Sequence, residues 1–439
     1  MTLFGPLFVP EQLLAAVSDQ AWFEAMIEVE SALARAEAAA GVVPAEAAEA
    51  IADACRLELY DLGQLLEQGR AVGNPAEPLV RALRQRVGHD AAGYVHRGAT
   101  SQDVIDSAAM LVSRRALELI SRELDRVGAG LAALADEHRS TPMAARTLLQ
   151  QAVPETFGYK AAGWLVAVLE ARRRLGQVRT ERLAVQLGGA AGTLAALEGH
   201  GPDVLRLLAA ELELVEPELP WHTNRTRVAE LGGALHMCAS VLAKIGLDLV
   251  LLAQTEVGEV RERTDGGSST MPQKRNPVRS VLARACAELV SGYASVLTRS
   301  VVQEHERAAG AWHAEWEALS GALAYTGGAA WSIAEAVEGL DVDTLRMEQN
   351  LELTGGLIVT ERLAVALGGG DAHDVVGDAV LRSAESGRPF EEELRADDRV
   401  ALSDGELAAA LDPRTYLGSA ETFVDRALER YEEESGSWK

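Results

Sequence analysis

Between Val228 and Leu252, apolar residues fall at Val228, Leu231, Leu235, Cys238, Leu242, Ile245, Leu249 and Leu252, in alternating steps of three and four. That is the α-helical period, sustained too long for any strand. No proline interrupts the chain between Pro220 and Pro272. The spacing therefore predicts one helix of about 30 residues, roughly 45 Å at the helical rise. So narrow a stripe on so long a helix belongs to a bundle. Leu117, Ile120, Leu124, Val127, Leu131 and Leu134 repeat the pattern, as do Trp22, Met26, Val29, Leu33 and Ala36, which Gly41 and Pro44 bring to a stop. Period-two runs are scarce. The chain reads as all-α. Any one stripe alone is intrachain core, but several long ones together suggest a bundle that also associates between chains. Soft breaks near 107 and 345 divide it into 1–107, 108–345 and 346–439.

The 439 residues are 48% apolar, enough for a large core. Forty-one Lys and Arg against 66 Asp and Glu leave a formal charge of −25, which excludes a broad basic face for nucleic acid or an anionic membrane. An anionic ligand would have to be caught by a few local cations. Cys55, Cys238 and Cys286 are scattered, without a CxxC or Cys/His cluster, so neither a disulfide framework nor a zinc site is expected. The start Met-Thr-Leu-Phe-Gly-Pro lacks the basic and apolar regions of a signal peptide. The longest uncharged run, Ala318–Ala334, is 17 residues rich in Gly and Ala, which fits close helix packing better than a bilayer span. A cytoplasmic protein is expected.

Familiar cofactor motifs are missing. Gly188, Gly189 and Gly192 lie in QLGGAAGTL without a preceding strand, which argues against a dinucleotide fingerprint. There is no P-loop, and His305-Glu306 lacks the second histidine of HExxH. Chemistry is expected to run on side chains alone, with no cofactor and no metal.

Three segments remain. In Tyr94–Asp103, Gly98 permits a turn, Thr100 and Ser101 can cap the following helix, and its first amides favour an anion; a capped helix start with a surface histidine, His96, is the bland alternative. Ala145–Gly158 places Thr147, Gln150 and Gln151 in an apolar stretch, as a wall orienting a polar ligand or as a kinked helix with satisfied amides. In Gly266–Pro277, consecutive N–H groups of a Gly-rich turn can form an anion nest. Lys274 adds a point charge and Asn276 a two-sided amide, a suitable pair for a carboxylate. A serine among such donors could exchange protons at carbon. Met271 and the two prolines weigh against a simple flexible linker.

The eleven residues Gly267–Pro277, GSSTMPQKRNP, resemble the signature loop GSSxMPxKxNP of the fumarase/aspartase superfamily, with HRGATSQD (96–103) and ARTLLQQAVPETFG (145–158) in the expected order. Within it, LFGPLF at the start, GNPAEPLV (73–80), AQTEVGEV (253–260), VQEHERAAGAWHAEWEAL (302–319) and YLGSAETFVDRAL (416–428) resemble the class II cycloisomerase branch over nearly the whole chain. The resemblance implies a three-domain all-α fold whose long central bundle forms a homotetramer, with active sites shared between subunits. It implies cofactor-independent cycloisomerisation of a small polycarboxylate, 3-carboxy-cis,cis-muconate, to 4-carboxymuconolactone, within aromatic catabolism, with no nucleic-acid or membrane partner. Ser268 matches the acid/base at carbon. Lys274 and Asn276 match positions that bind a carboxylate and stabilise an enolate. His96, Thr100 and Ser101 match the first active-site segment, and Thr147 and Gln150 the second; Met271 and Arg225 complete the implied set.

Three departures from the family pattern stand out. Many lyase relatives carry RTHxQ, whose histidine protonates the leaving group; here Leu148 takes that place, as in the cycloisomerase branch. This argues against adenylosuccinate and argininosuccinate lyases, as does the lack of an early Arg-Tyr phosphate-binding segment. Asn224-Arg225-Thr226-Arg227 stands where QRDR is common, and Arg97 where an aromatic is usual. Two rival readings stay open: a lyase releasing fumarate from a succinyl-type substrate, and a non-catalytic helical scaffold.

Overall fold

A computed structural model describes residues 3–263, 271 and 274–436. The elements used below are helices α1 (Asp19–Ala39) and α2 (Ser101–Glu137), strands β1 (Pro142–Thr147) and β2 (Gln150–Thr156), helices α3 (Phe157–Glu181) and α4 (Thr226–Leu252), strand β3 (Val260–Glu262), helices α5 (Val278–Arg299) and α6 (Ala311–Glu338), and strand β4 (Leu340–Val342). Short helices fill most of the remainder. The α4 stripe behaves as its spacing predicts: all eight residues are buried, none more than 5% exposed. By length and composition α4 and α5 could each cross a membrane, but the α4 stripe faces protein.

Packing divides the chain into two compact units, Met1–Leu124 with Glu170–Ala243 and Leu282–Ser332, and Asp125–Leu169 with Lys244–Val281 and Ile333–Lys439. In the first, Ser18 caps α1 by accepting the Ala21 N–H at 3.2 Å. Met26, Val29, Leu33 and Ala36 of α1 are buried, and Trp22 donates its indole N–H to Ser320 at 2.9 Å. A satellite core of Ala34, Val43, Ala47, Ile51, Val80, Leu83 and Val95 joins α1 to the helices Ala45–Ala54 and Ala76–Arg86. The Gly/Ala run of α6 is a close-packing surface. A Cβ on Gly321 would lie 2.5 Å from the Tyr293 ring, and one on Gly328 2.5 Å from the Phe8 carbonyl oxygen.

In the second unit the C-terminal helices close over Leu351, Ile358, Leu363, Val376, Phe390, Leu394 and Leu407. Ser403 and Glu406 form a reciprocal capping box. Two small antiparallel sheets, β1–β2 and β3–β4, interrupt the helices. The kinked-helix alternative for 145–158 is thereby replaced by a hairpin. Pro142 and Pro154 lack the N–H that a helix interior needs, and both find places in the ladder, with a register shift between Ala144 and Arg146.

Candidate active site

Residues of the HRGATSQD segment are positioned by Asp103, a residue that the sequence reading quoted without assigning a role. It stands at the third position of α2, and its side chain reaches back to the Thr100 N–H at 3.0 Å, half of a capping box. The same carboxylate accepts the N–H groups of Gly188 (3.0 Å) and Gly189 (2.9 Å) and lies 2.6 Å from His222 Nε2. It is 1% exposed, and these contacts meet the rule that a buried charge be paired and hydrogen-bonded. The turn it ties to the QLGG loop leaves no spare volume. A Cβ on Gly98, which has φ +70°, would fall 2.6 Å from Leu197, and one on Gly189 would fall 2.5 Å from the Gly98 carbonyl oxygen. These glycines pack one loop on another.

One turn further along α2, Asp106 anchors a second buried cluster. Arg225 donates to both of its oxygens at 2.7 and 2.9 Å and to Glu315 at 2.5 Å. Trp312 Nε1 (2.9 Å), Gln102 (3.1 Å) and Gln186 (3.2 Å) also donate to Asp106. The Arg225 guanidinium lies 4.7 Å from the Trp221 ring centroid, and the residue is 2% exposed. Arg225 was expected to bind substrate; in this chain its guanidinium is engaged by two carboxylates inside the first unit. Its short tetrad of polar residues looks like a surface loop, and nothing local in the sequence signals the burial.

In the second unit, Thr147 pairs with Gln150 across the end of the β1–β2 hairpin, and both are exposed. The two-residue turn between them is Leu148-Leu149, with φ +51° and +65°. Positive φ at both positions is the type I′ requirement, usually met by Asn-Gly. Leu148 is 97% and Leu149 74% exposed within the chain, so the described residues of this chain do not cover the tip. Arg146 is tied to Glu259 at 2.7 and 2.9 Å, Asn350 donates to the same carboxylate at 2.7 Å, and Gln151 donates to the Asn350 carbonyl at 2.7 Å. The hairpin is thus fixed just behind its tip, and the tip is presented outward.

The residues that flank the signature segment are joined by Glu262, which carries no local signal in the sequence. From the end of β3 its carboxylate accepts the Arg279 N–H (3.0 Å), the Ser280 N–H (2.9 Å) and the Ser280 hydroxyl (2.5 Å), capping the start of α5. Pairing of β3 with β4 fixes the entry strand. Met271, Lys274 and Asn276 are exposed, and the Lys274 N–H donates to the Met271 carbonyl at 3.0 Å. Ser268 and Ser269 lie outside the described residues. Of the expected site residues, His96, Thr100, Ser101 and Arg225 belong to the first unit, and Thr147, Gln150, Met271, Lys274 and Asn276 to the second.

Long apolar-striped helices, a small hairpin and the GSSTMPQKRNP sequence together define a lyase of the fumarase/aspartase superfamily, and the chain belongs to it. The family model described as Lyase matches residues 10–292, and a second, Adenylosuccinate lyase C-terminus, matches 356–427. The chain is 44% identical to the 3-carboxy-cis,cis-muconate cycloisomerase of Bradyrhizobium diazoefficiens, covering 98% of each. It is 46% identical to the nitrosuccinate lyase of Streptomyces davaonensis, over 97% of this chain and 94% of that protein. The crystal structure of the 3-carboxy-cis,cis-muconate lactonizing enzyme of Pseudomonas putida superimposes with a TM-score of 0.93 at 41% identity, covering 98% of this chain and 99% of that one.

Proposed function

We propose that the protein catalyses the cofactor-independent cycloisomerisation of 3-carboxy-cis,cis-muconate to 4-carboxymuconolactone in the cytoplasm. One observation favours this reading over the superfamily lyases that expel an amine or alkoxide: the hairpin tip bears Leu148 where many lyases bear a proton-donating histidine. In lactone formation one substrate carboxylate adds to the substrate's own double bond. That carboxylate is already ionised at neutral pH and needs no base. The electron pair of the double bond moves to the carbon beside another carboxylate, and that carbon then takes a proton. We assign the proton to Ser268 and stabilisation of the developing aci-carboxylate to Lys274 and Asn276. His96, Thr100, Ser101, Thr147 and Gln150 hold the remaining carboxylates, and Met271 lies within the loop. In reverse, a carboxylate departs without needing a proton, which leaves a histidine at position 148 without a task.

The test is an ultraviolet assay. Loss of the conjugated diene of 3-carboxymuconate supports the reading, and no turnover overturns it. The likeness to a nitrosuccinate lyase favours a second reading, elimination of nitrite from nitrosuccinate to give fumarate. Nitrite too is a weak base that leaves unprotonated, so Leu148 accommodates both; fumarate formed from nitrosuccinate, with 3-carboxymuconate untouched, would select the second.

Leu148→His sharpens the distinction from lyases that expel an amine or alkoxide. Histidine tolerates a left-handed backbone better than leucine does, and the tip is exposed, so folding should be unchanged. The expected result is no gain in kcat with 3-carboxymuconate; a clear rise on the physiological substrate would mean a leaving group that needs a proton.

The active form is proposed to be a homotetramer with shared sites. Met237 and Leu247 on α4, and Val281, Leu289 and Val296 on α5, are 36–49% exposed in the single chain, apolar area of the kind that association covers. The division into 1–107, 108–345 and 346–439 is proposed on the same footing, the first part carrying HRGATSQD and the second the signature loop. Mixing inactive Ser268→Ala and His96→Ala chains should restore part of the activity; no recovery after verified subunit exchange would place both groups on one chain.

A further inference from the structure

His96 is held from inside α1. Its Nδ1 lies 2.6 Å from Glu30 Oε1, a partner 66 residues away. The Glu30 side chain is 1% exposed and that of His96 12%. Glu30 stands among Met26, Ile27, Val29, Leu33 and Ala34, all buried, where packing alone would favour an aliphatic side chain. A carboxylate there is costly unless it is paired. His96 itself adopts φ +60°, a left-handed conformation costing an L-residue about 1–2 kcal/mol. Burial and backbone strain are thus both accepted at one contact. Among the described residues, Nε2 of the same ring has no protein partner.

We propose that Glu30 is a positioning residue for His96: it accepts the Nδ1 proton, fixes the ring's rotamer, and favours the imidazolium, whose Nε2–H is presented to a substrate carboxylate. This rests on the reading of His96 as a site residue. A hydrogen bond at one ring nitrogen decides what the other can do, and a charge-assisted bond to a buried carboxylate is among the strong ones.

The surroundings leave Glu30 as the principal anion at the ring. Burial by itself lowers the His96 pKa, but the charge and hydrogen bond of Glu30, with Asp103 of α2 assisting and Arg84 opposing, bring it above the ordinary histidine value. Glu37, two turns along α1, is fully buried with neither carboxyl oxygen hydrogen-bonded. Burial first, and then the charge of Glu30, push its carboxyl up to about 9 against the pull of Arg97, so near neutral pH it is an uncharged acid. Burial and Glu30 likewise push the Cys55 thiol up to about 12, against Arg35. Arg35 is engaged by Glu211 and Ser31.

The test compares Glu30→Gln, Glu30→Asp and His96→Gln in kcat/KM against pH, using whichever of 3-carboxymuconate and nitrosuccinate the wild type turns over. The raised histidine value means that the imidazolium is complete at low pH and lost as pH rises through the folded-state pKa. Removing the Glu30 charge should move that loss to lower pH. Glu30→Gln should therefore lose about tenfold more activity at about pH 8 than at about pH 6, with Glu30→Asp lying between it and wild type. A uniform loss with an unchanged profile, or full activity, would overturn the proposal. If Glu30→Gln does not fold, Glu30→Asp decides: a profile parallel to wild type is the overturning result. Nitrogen NMR of histidine-labelled enzyme gives a readout independent of turnover. The His96 signals, identified by their loss in His96→Gln, should show Nδ1 protonated in wild type, and mixed tautomers at high pH in Glu30→Gln. A fully active His96→Gln would instead remove His96 from the site, so that failure is seen separately.

Discussion

Ser268→Ala is expected to lower kcat by at least about a hundredfold, the scale of a lost, positioned acid/base, while the melting profile and oligomeric state stay as in wild type. Stability should survive because the loop's ends are fastened by groups other than Ser268. Pairing of β3 with β4 holds the entry, and Glu262 binds the Arg279 and Ser280 amides at the start of α5. The neighbouring Ser269→Ala should be the milder change. Diene loss in the ultraviolet gives kcat and KM, and circular dichroism follows the fold. If Ser269→Ala proves the more damaging of the two, the proton carrier is the second serine. If both variants keep wild-type turnover, the carbon acid/base is not in this loop, and the reaction proposed for the chain loses its central step.

What could be read from the sequence, and what could not, divides along the range of the interaction responsible. The α4 stripe was legible because a helix places residues three and four apart on one face whatever the rest of the chain does. The signature loop was legible because its residue types carry chemistry side by side. The β1–β2 hairpin was not, since its turn is Leu148-Leu149, without the glycine or asparagine that normally marks positive φ, and its ladder includes Pro142 and Pro154. Asp103 lay in plain view inside HRGATSQD, and its spacing from Thr100 is that of a capping box. Its bonds to Gly188, Gly189 and His222, 85, 86 and 119 residues away, exist only in the folded chain. Glu30 and Glu262 had no local signal at all: each is a carboxylate whose meaning comes from the partner it meets.

Arg225 gives the second large effect, and it separates the role first expected of it from the one its surroundings support. Arg225→Met should destabilise the fold by about 3–5 kcal/mol, because it strands two buried carboxylates with no counter-charge. Asp106 and Glu315 share this one guanidinium, so the cation is held firmly charged while the second carboxylate is under-compensated. Burial pushes the Glu315 carboxyl up to about 6, even against the pull of Arg225 and the hydrogen bond from Gln303. A raised carboxyl value means that its favourable, protonated form is complete below the unfolded value and lost as pH rises through the folded one. The deficit of Arg225→Met should accordingly be larger at about pH 7.5 than at about pH 5.5, where protons can replace the missing cation. Arg225→Lys should fall between, keeping the charge but losing the planar fork that reaches both partners. Adding Asp106→Asn and Glu315→Gln to Arg225→Met should recover part of the loss, since no buried anion is then left unpaired. Urea denaturation at the two pH values measures this, alongside KM on the folded fraction. Undiminished stability with a raised KM would return Arg225 to the substrate; a fold that weakens as described, with KM unchanged, assigns it to the frame that holds Asp106 and the start of α2 in place.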